Sequence, residues 1–449
     1  MDFQQEYQQK LMSPEQAVKV VKSGDWLDYG QSSCVPHALD KALAARAEEL
    51  EDINIRGLLV YHPLEIYEAN NRVGKQVFTF NSWYMGAVER RQSKTTYVTF
   101  IPMRYWEQPS MYRSKEEIER VDVALIEVAP MDKDGNFNLG PSNAALKQML
   151  DRAGHIIVEV NERVPRVASL DNNHIHISRV NAIVESTQEL DGSVSKPPTE
   201  TEIQIAEHVI KLVPNRATVQ LGIGGVPNAL GSMIAQSDIR DLGVHTELYT
   251  NSLMEMTKAG LITGKYKNLN PGKQVFTFAY GSTELYDFLD EHPDMVTASV
   301  DYVNDPHIIA EHDNFISINA AVEVDLYGQI SAETSGTKQI SGTGGQLDFV
   351  TGACNSKGGK SIISITSTFT DKQGVAHSRI VPHFPLATTT TTPRHSVQYI
   401  ATEFGIYNLR AKSLWQRAEG LINIAHPDFR DQLIKDAEAA GIWRPSNKR

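Results

Sequence analysis

The sequence predicts an α/β protein built from two duplicated domains, each an open, mostly parallel sheet covered by helices. Three observations predict it. At 449 residues the chain exceeds what one hydrophobic core usually supports. Gly74-Lys-Gln-Val-Phe-Thr-Phe80 recurs letter for letter as Gly272-Lys-Gln-Val-Phe-Thr-Phe278. Short apolar runs rich in β-branched residues alternate with helical patterns in both halves, as strand and crossover helix do in parallel sheets.

The repeat extends beyond its identical core. Tyr29-Gly-Gln-Ser-Ser-Cys-Val-Pro-His-Ala-Leu39 resembles Leu221-Gly-Ile-Gly-Gly-Val-Pro-Asn-Ala-Leu230, and the segment from Val123 to Phe137 stands opposite Ile316 to Gln329. Three matches in one order imply duplication of a whole domain, at a spacing far too long for a solenoid.

Taken in order, Ser13-Pro-Glu-Gln16 caps a helix with Pro at its first position, and Gly24 is expected to end it. The polar stretch Ser195-Lys-Pro-Pro-Thr-Glu-Thr201 reads as a linker, dividing the chain into domains 1–198 and 199–449. Glu202 to Val213 opens the second domain as a helix. Ala217-Thr-Val-Gln-Leu221 is a strand, and Pro227 is expected to start the next helix, which runs through Ala235. Phe315 to Val324 reads as a strand pair, and Ser361 to Thr366 as a buried strand. The apolar helix Ser413 to Ile424 is expected to face a second subunit in a homodimer.

Composition excludes several functions. A formal net charge of −12 without a basic stripe repels nucleic acid. Lys338, Lys357, Lys360 and Lys372 leave a local reserve of positive charge for a small anionic ligand. Two cysteines, Cys34 and Cys354, support neither a disulfide framework nor a Cys-rich zinc site. The first residues lack a signal-like basic and apolar pattern, and no apolar run approaches the ~20 residues that span a bilayer. A cytoplasmic protein without membrane contact is expected. His174 and His176 alternate on one strand face, but two ligands make no metal site, so no metal is expected. Serine hydrolase chemistry has no Gly-x-Ser-x-Gly anchor.

The chemistry-bearing segments lie in the second half. Gly222-Ile-Gly-Gly-Val-Pro227 falls between strand and helix, where backbone N–H groups and a helix N-terminus meet ligand oxygens. Such a turn also serves simply to reverse the chain. The matching first-half loop, Gly30-Gln-Ser-Ser-Cys-Val-Pro36, lacks the central glycines. A turn needed only for geometry would have kept them, so the comparison favours a ligand site at Gly222. About twenty residues on, Glu247 in Val244-His-Thr-Glu-Leu-Tyr-Thr250 is placed near a strand's carboxyl end, over the crevice of an open α/β sheet. Its alternatives are a solvated or capping glutamate, or the ribose-binding acid of a dinucleotide fold. Pro227 at the third glycine position argues against the latter. Ser335 to Val350, with Gly342, Gly344 and Gly345, supplies a further cradle of N–H donors after a strand.

Taken together, the Gly222 to Pro227 loop, His245-Thr-Glu247, Asn319-Ala-Ala-Val-Glu-Val-Asp-Leu-Tyr-Gly328, Ser341-Gly-Thr-Gly-Gly-Gln346 and Thr402-Glu-Phe-Gly405 resemble the acetyl-CoA hydrolase/transferase family across nearly the whole chain. The resemblance implies a CoA-transferase fold of the NagB/RpiA-like kind, with Glu247 as catalytic residue. It implies CoA contacts at Gly222, Ile223, Gly224, Gly225 and Val226, and further ones at Val322, Gly345 and Lys372. The implied activity moves CoA between short-chain acyl-CoA and carboxylate, butyrate and acetate being the expected pair. Transfer to 4-hydroxybutyrate and hydrolysis of acetyl-CoA are the alternatives. No tightly bound cofactor is expected, because CoA esters are substrates. For this chemistry, backbone N–H groups near Gly344 and Gly345 are expected to stabilise an oxyanion, and Gln31, Trp83, Tyr84 and Met85 to close over the acyl group.

Overall fold

The computed structural model describes residues 2–92, 97–192 and 196–447. Two compact units emerge. The first comprises Met1–Val194 with Glu247–Asn251 and Val275–Val303, and the second Ser195–Thr246, Ser252–Gln274 and Asn304–Arg449. The division therefore differs from a single cut after residue 198. Part of the reason is local: Val296 of the strand Met295–Thr297 pairs in parallel with Ala168, and Asn143 N–H donates to Thr277 O. Ser195 of the expected linker lies outside the described residues.

The first unit is a seven-stranded sheet. Its strands are β1 (Trp26–Tyr29), β2 (Ile53–Gly57), β3 (Phe78–Ser82), β4 (Val98–Phe100), β5 (Val121–Val128), β6 (Ala153–Asn161) and β7 (Ala182–Ser186). They lie in the order β7-β6-β5-β1-β2-β3-β4, every pair parallel. Both faces are covered, which explains why Val123 to Ile126 at the middle of β5 are apolar without alternation. Val123 and Leu125 join one core with Leu39 and Leu43 of α1 (Ala38–Ala45) and Ile66 and Tyr67 of α2 (Glu65–Val73). The alternate residues Ala124, Ile126 and Val128 join another with Leu146 and Met149 of α3 (Leu146–Arg152). Gly74, ending α2, has φ 67°, the left-handed geometry that glycine adopts most cheaply.

In the second unit β8 (Thr218–Leu221) lies between β9 (Gly243–Tyr249) and β10 (Phe315–Ala320). Beyond β10 come β11 (Lys360–Ser364) and β12 (Tyr399–Thr402), both parallel, and the antiparallel β13 (Gly405–Asn408). Each unit thus sets its first strand between its second and a later one, and the matched segments occupy equivalent strands. Val123 faces Leu27 of β1, as Ile316 faces Val219 of β8. Helices α4 (Glu200–Val209), α5 (Gly225–Ala235) and α6 (Gln346–Asn355) belong to this unit, as do α7 (Leu414–Asn423) and α8 (Pro427–Ala439). Leu421, Ile422, Leu433 and Ile434 of the last two pack with Ile363 and Ile400. No helix among the described residues is long and apolar enough to cross a membrane.

Several boundaries differ from the sequence reading. The helix begun at Pro14 ends as a 3-10 turn at Val20, before Gly24, where Val18, Val20 and Val21 place three β-branched residues among four positions. Helix α5 opens at Gly225, not Pro227, with Gly224 as its N-cap. Phe315 to Val324 divides between β10 and a separate short strand, Glu323–Asp325.

Candidate active site

The first strand of an open sheet ends where its neighbours diverge, and ligands bind at that switch point. In the second unit this point lies between β8 and β10. A cleft of about 240 Å³ occupies it. Gly222 to Pro227 line one side, Ile318 to Ala321 and Ser364 to Thr366 the other, with Glu202, Ile205 and Arg379 at its margins.

Each glycine of the loop has its own reason. A β-carbon on Gly222 would sit 3.3 Å from Ile318 O. Gly224 has φ 124° and ψ −176°, a conformation essentially reserved for glycine. A β-carbon on Gly225 would overlap the Glu202 carboxylate. Ile223 is 65% exposed at the loop tip, an apolar side chain left to be covered. The first-unit counterpart is closed instead. Gln31 to Cys34 are all buried, Ser32–Cys34 forms a 3-10 turn, and a β-carbon on Gly30 would overlap the Cys34 carbonyl.

Glu247 is half-buried on β9, two residues before the strand ends rather than at its end. Val219 pairs with Val244; Gly222 and Glu247 each lie three residues further along. The carboxylate acts electrostatically on the buried phenol of Tyr105. Burial, then Glu247, then Tyr61 hold that phenol well above its ordinary 10.0.

Of the remaining expected residues, Val322, Gly344, Gly345 and Lys372 belong to the second unit, and Trp83, Tyr84 and Met85 to the first. Val322 follows β10; its N–H donates to Ser331 O at 2.8 Å and its carbonyl accepts from Arg379 Nη1 at 3.0 Å. Gly344, with φ 52°, and Gly345, the N-cap of α6, precede Gln346, whose Nε2 donates to Ala320 O at 2.7 Å. Lys372 is exposed at the tip of the hairpin formed by Thr368–Thr370 and Ala376–Ser378. Trp83 and Met85 are buried beyond β3 in the two cores of the first unit, and Tyr84 is half-buried between them.

Two family models match, the acetyl-CoA hydrolase/transferase N-terminal domain over residues 1–191 and the C-terminal domain over residues 281–437. The chain belongs to the acetyl-CoA hydrolase/transferase family. It is 53% identical to a butyryl-CoA:acetate CoA-transferase of Anaerostipes caccae, over 100% of both chains. It is 45% identical to a probable butyrate:acetyl-CoA coenzyme A-transferase of Syntrophomonas wolfei, covering 99% of this chain and 98% of the other. The crystal structure of RipA from Yersinia pestis superposes with a TM-score of 0.90 at 37% identity, covering 98% of this chain and 100% of RipA.

This family member has cleft residues that sequence reasoning missed. Arg379 and Glu202 are the charged side chains lining the cleft among the described residues. Arg379 is half-buried, its guanidinium 5.0 Å over the Phe369 ring, and burial lowers its pKa. The neighbouring Glu323 carboxyl is raised by burial and drawn back by Arg379. Arg379 carries no motif of its own, so only the fold of the Thr368–Ser378 hairpin brings it to the cleft.

The first unit holds one group with metal-ligand character among the described residues, His37, His62 and Asp191. Its imidazoles stack with centroids 3.6 Å apart at 19°. One donor atom from each of the three lies within 4.8 Å of the others. The Asp191 carboxylate meets His62 Nδ1 at 2.6 Å and His37 Nε2 at 3.4 Å. Desolvation opposes ionisation of Asp191, but the two imidazoles outweigh it and hold its carboxyl well below the ordinary 3.8.

Proposed function

We propose that this CoA-transferase exchanges CoA between butyryl-CoA and acetate, with Glu247 as covalent nucleophile. The placement of Glu247 carries the reading: a half-buried carboxylate on the strand that pairs with β8, whose end forms the glycine cleft. Identity of 53% to a butyryl-CoA:acetate CoA-transferase supports the choice of acids.

The Glu247 carboxylate attacks the thioester carbonyl, giving a mixed anhydride and CoA thiolate. The thiolate then attacks the glutamyl carbonyl, forming a glutamyl-CoA thioester and releasing butyrate. Acetate reverses the sequence and leaves as acetyl-CoA. One thioester replaces another, so neither ATP nor a resident cofactor is needed. CoA rests on Gly222 to Val226, with Arg379 as the cation lining the same cleft, and Val322, Gly345 and Lys372 extend the contact. Backbone N–H groups at Gly344 and Gly345 stabilise the acyl oxyanion, worth about 3 kcal/mol for a well-placed donor. Gln31, Trp83, Tyr84 and Met85 shield the acyl group from water. The enzyme works in the cytoplasm, in keeping with its two free thiols, as a homodimer.

Incubation with butyryl-CoA alone, borohydride reduction and mass spectrometry test the covalent step. Reduction is expected at Glu247 and is expected to vanish in Glu247→Gln. Label on another residue, or normal exchange by the amide variant, would overturn the reading.

A further inference from the structure

The cleft wall opposite the glycine loop is backed by a buried polar network. Gln220 of β8 is 4% exposed, Ser317 of β10 is fully buried, and Asn319, two residues further along β10, lines the cleft. Ser317 Oγ donates to Gln220 Oε1 at 2.7 Å. The Gln220 and Asn319 amides pair reciprocally: Asn319 Nδ2 donates to Gln220 Oε1 at 3.1 Å, and Gln220 Nε2 donates to Asn319 Oδ1 at 3.2 Å. Asn319 Nδ2 also donates to Ser317 Oγ at 3.0 Å. The shortest of these contacts has the length of an O–H···O bond and the others that of N–H···O bonds, which sets both amides one way round. Asn319 thus uses its N–H groups inside the network, while Oδ1, with one bond accepted, keeps a second acceptor position.

The first unit, whose equivalent loop is closed, shows that the sheet does not require this network. Asp28 faces Ala124 as Gln220 faces Ser317, so Ala124 and Ile126 stand where Ser317 and Asn319 do. Both are apolar core residues, and the Asp28 carboxylate turns instead to Arg56 Nη2 at 2.7 Å. The polar pair on β10 goes with the cleft. A β-carbon on Gly222 would stand 4.0 Å from Asn319 Oδ1, so the bare glycine leaves room beside that oxygen. On the other wall, the first N–H groups of α5 have no preceding helical turn to receive them. Donors on one side and a fixed carbonyl oxygen on the other are the complement of a secondary amide.

We propose that Asn319 Oδ1 accepts the N–H of one pantetheine amide of CoA, with Gln220 and Ser317 as positioning residues that hold its side-chain amide in place. This rests on CoA occupying the cleft along Gly222 to Val226. The pantetheine amide oxygen meets the N–H groups at the start of α5 and its N–H meets Asn319, so the arm is fixed in register against the strand ends. An acceptor already held by two neighbours loses little freedom on binding. It also discriminates against a thioester whose arm carries no N–H at that point, because the bound complex then leaves Oδ1 facing another acceptor. The contact acts on binding of the CoA ester and leaves the acyl transfer itself to other groups.

The test uses butyryl-CoA and two analogues, each with one pantetheine amide N–H replaced by an ester oxygen. The unaltered enzyme is expected to lose about ten-fold in kcat/KM with one of the two, as for a hydrogen bond replaced by an unpaired acceptor. Asn319→Leu is expected to treat that analogue and butyryl-CoA alike, a cancellation that a merely structural role does not produce. Gln220→Leu keeps Asn319 but frees it to turn, and part of the discrimination is expected to go with it. Should Asn319→Leu fold poorly, combining it with Gln220→Leu and Ser317→Ala removes the whole network, leaves none of its polar atoms unpaired, and gives the same comparison. Equal kcat/KM for all three thioesters in the unaltered enzyme overturns the proposal, and so does discrimination that persists in Asn319→Leu. Full discrimination in Gln220→Leu overturns its positioning role. Gly225→Ala separates the proposal from the reading beneath it: an unchanged KM for butyryl-CoA there takes CoA away from the loop, whereas a raised KM, with discrimination intact in Asn319→Leu, removes only Asn319.

Discussion

The Glu202 carboxylate lies directly over Gly225, in the space that a β-carbon there would fill. It is held by a capping box at the start of α4. Glu202 Oε2 accepts from Thr199 N–H and from Thr199 Oγ1, both at 2.8 Å, while Thr199 Oγ1 accepts from Glu202 N–H at 3.3 Å. The start of one helix thereby sets the shape of the next, and the acid occupies the mouth of the cleft near the N-terminus of α5. An ionised carboxylate there disfavours a second anion at the same point. On the proposed reading, the loop meets the amides of the pantetheine chain and Arg379 the phosphates.

Gly225→Ala and Gly224→Ala are expected to fail in different ways. At Gly225 the new methyl displaces Glu202 and breaks the capping box, a loss of about 1 kcal/mol, and it narrows the cleft. At Gly224 the backbone itself is incompatible, with φ 124°, at a cost of about 1–3 kcal/mol. Urea unfolding should rank Gly224→Ala as the less stable, while KM for acyl-CoA rises in both. Equal stability of the two variants would refute the backbone argument.

Arg379 and Lys372 offer a second contrast. Arg379 lines the cleft with its Nη1 and Nε directed to Val322 O at 3.0 Å and Thr368 O at 3.4 Å. Lys372 is solvated on the hairpin tip. Arg379→Gln is expected to raise KM for CoA esters about ten-fold or more and to flatten the dependence of KM on salt, as follows from losing a partly desolvated charge. Lys372→Ala is expected to change KM by less than about three-fold, as for a solvent-screened charge. Initial rates across ionic strength check both, and a larger effect at Lys372 would reverse the assignment.

The sequence disclosed this architecture through repetition. Gly74 and Gly272 both take left-handed backbone, at 67° and 77°, before a strand in each copy of the seven-residue repeat. Gly222 to Val226 was legible because glycine spacing and backbone geometry are local. Arg379 and Tyr105 were not, since neither sits in a motif and their placement depends on a hairpin and a 3-10 turn fixed by tertiary packing. The mistaken start of α5 has a similar cause. Pro at the first helical turn is permitted at more than one position, and only the left-handed geometry of Gly224 sets the cap.

Burial also leaves a titratable group that should govern how stability changes between about pH 4.5 and pH 8. Glu127 on β5 is 1% exposed and accepts from Asn161 Nδ2 at 2.8 Å. Desolvation pushes its carboxyl up from 4.5 to about 8, Asn161 pulls it back, and Glu159 adds to the rise. Between these values the folded state keeps a proton that the unfolded chain releases. Stability from this group is therefore present below about pH 4.5 and lost progressively as pH rises towards about 8. Glu127→Gln keeps the shape and the acceptor for Asn161 while removing the titration. Its thermal midpoint is expected to match that of the unaltered protein near pH 5 and to exceed it by several degrees at pH 8, a difference of about a few kcal/mol. Calorimetry at those two pH values decides it, since a constant offset would mean that Glu127 does not titrate in this range.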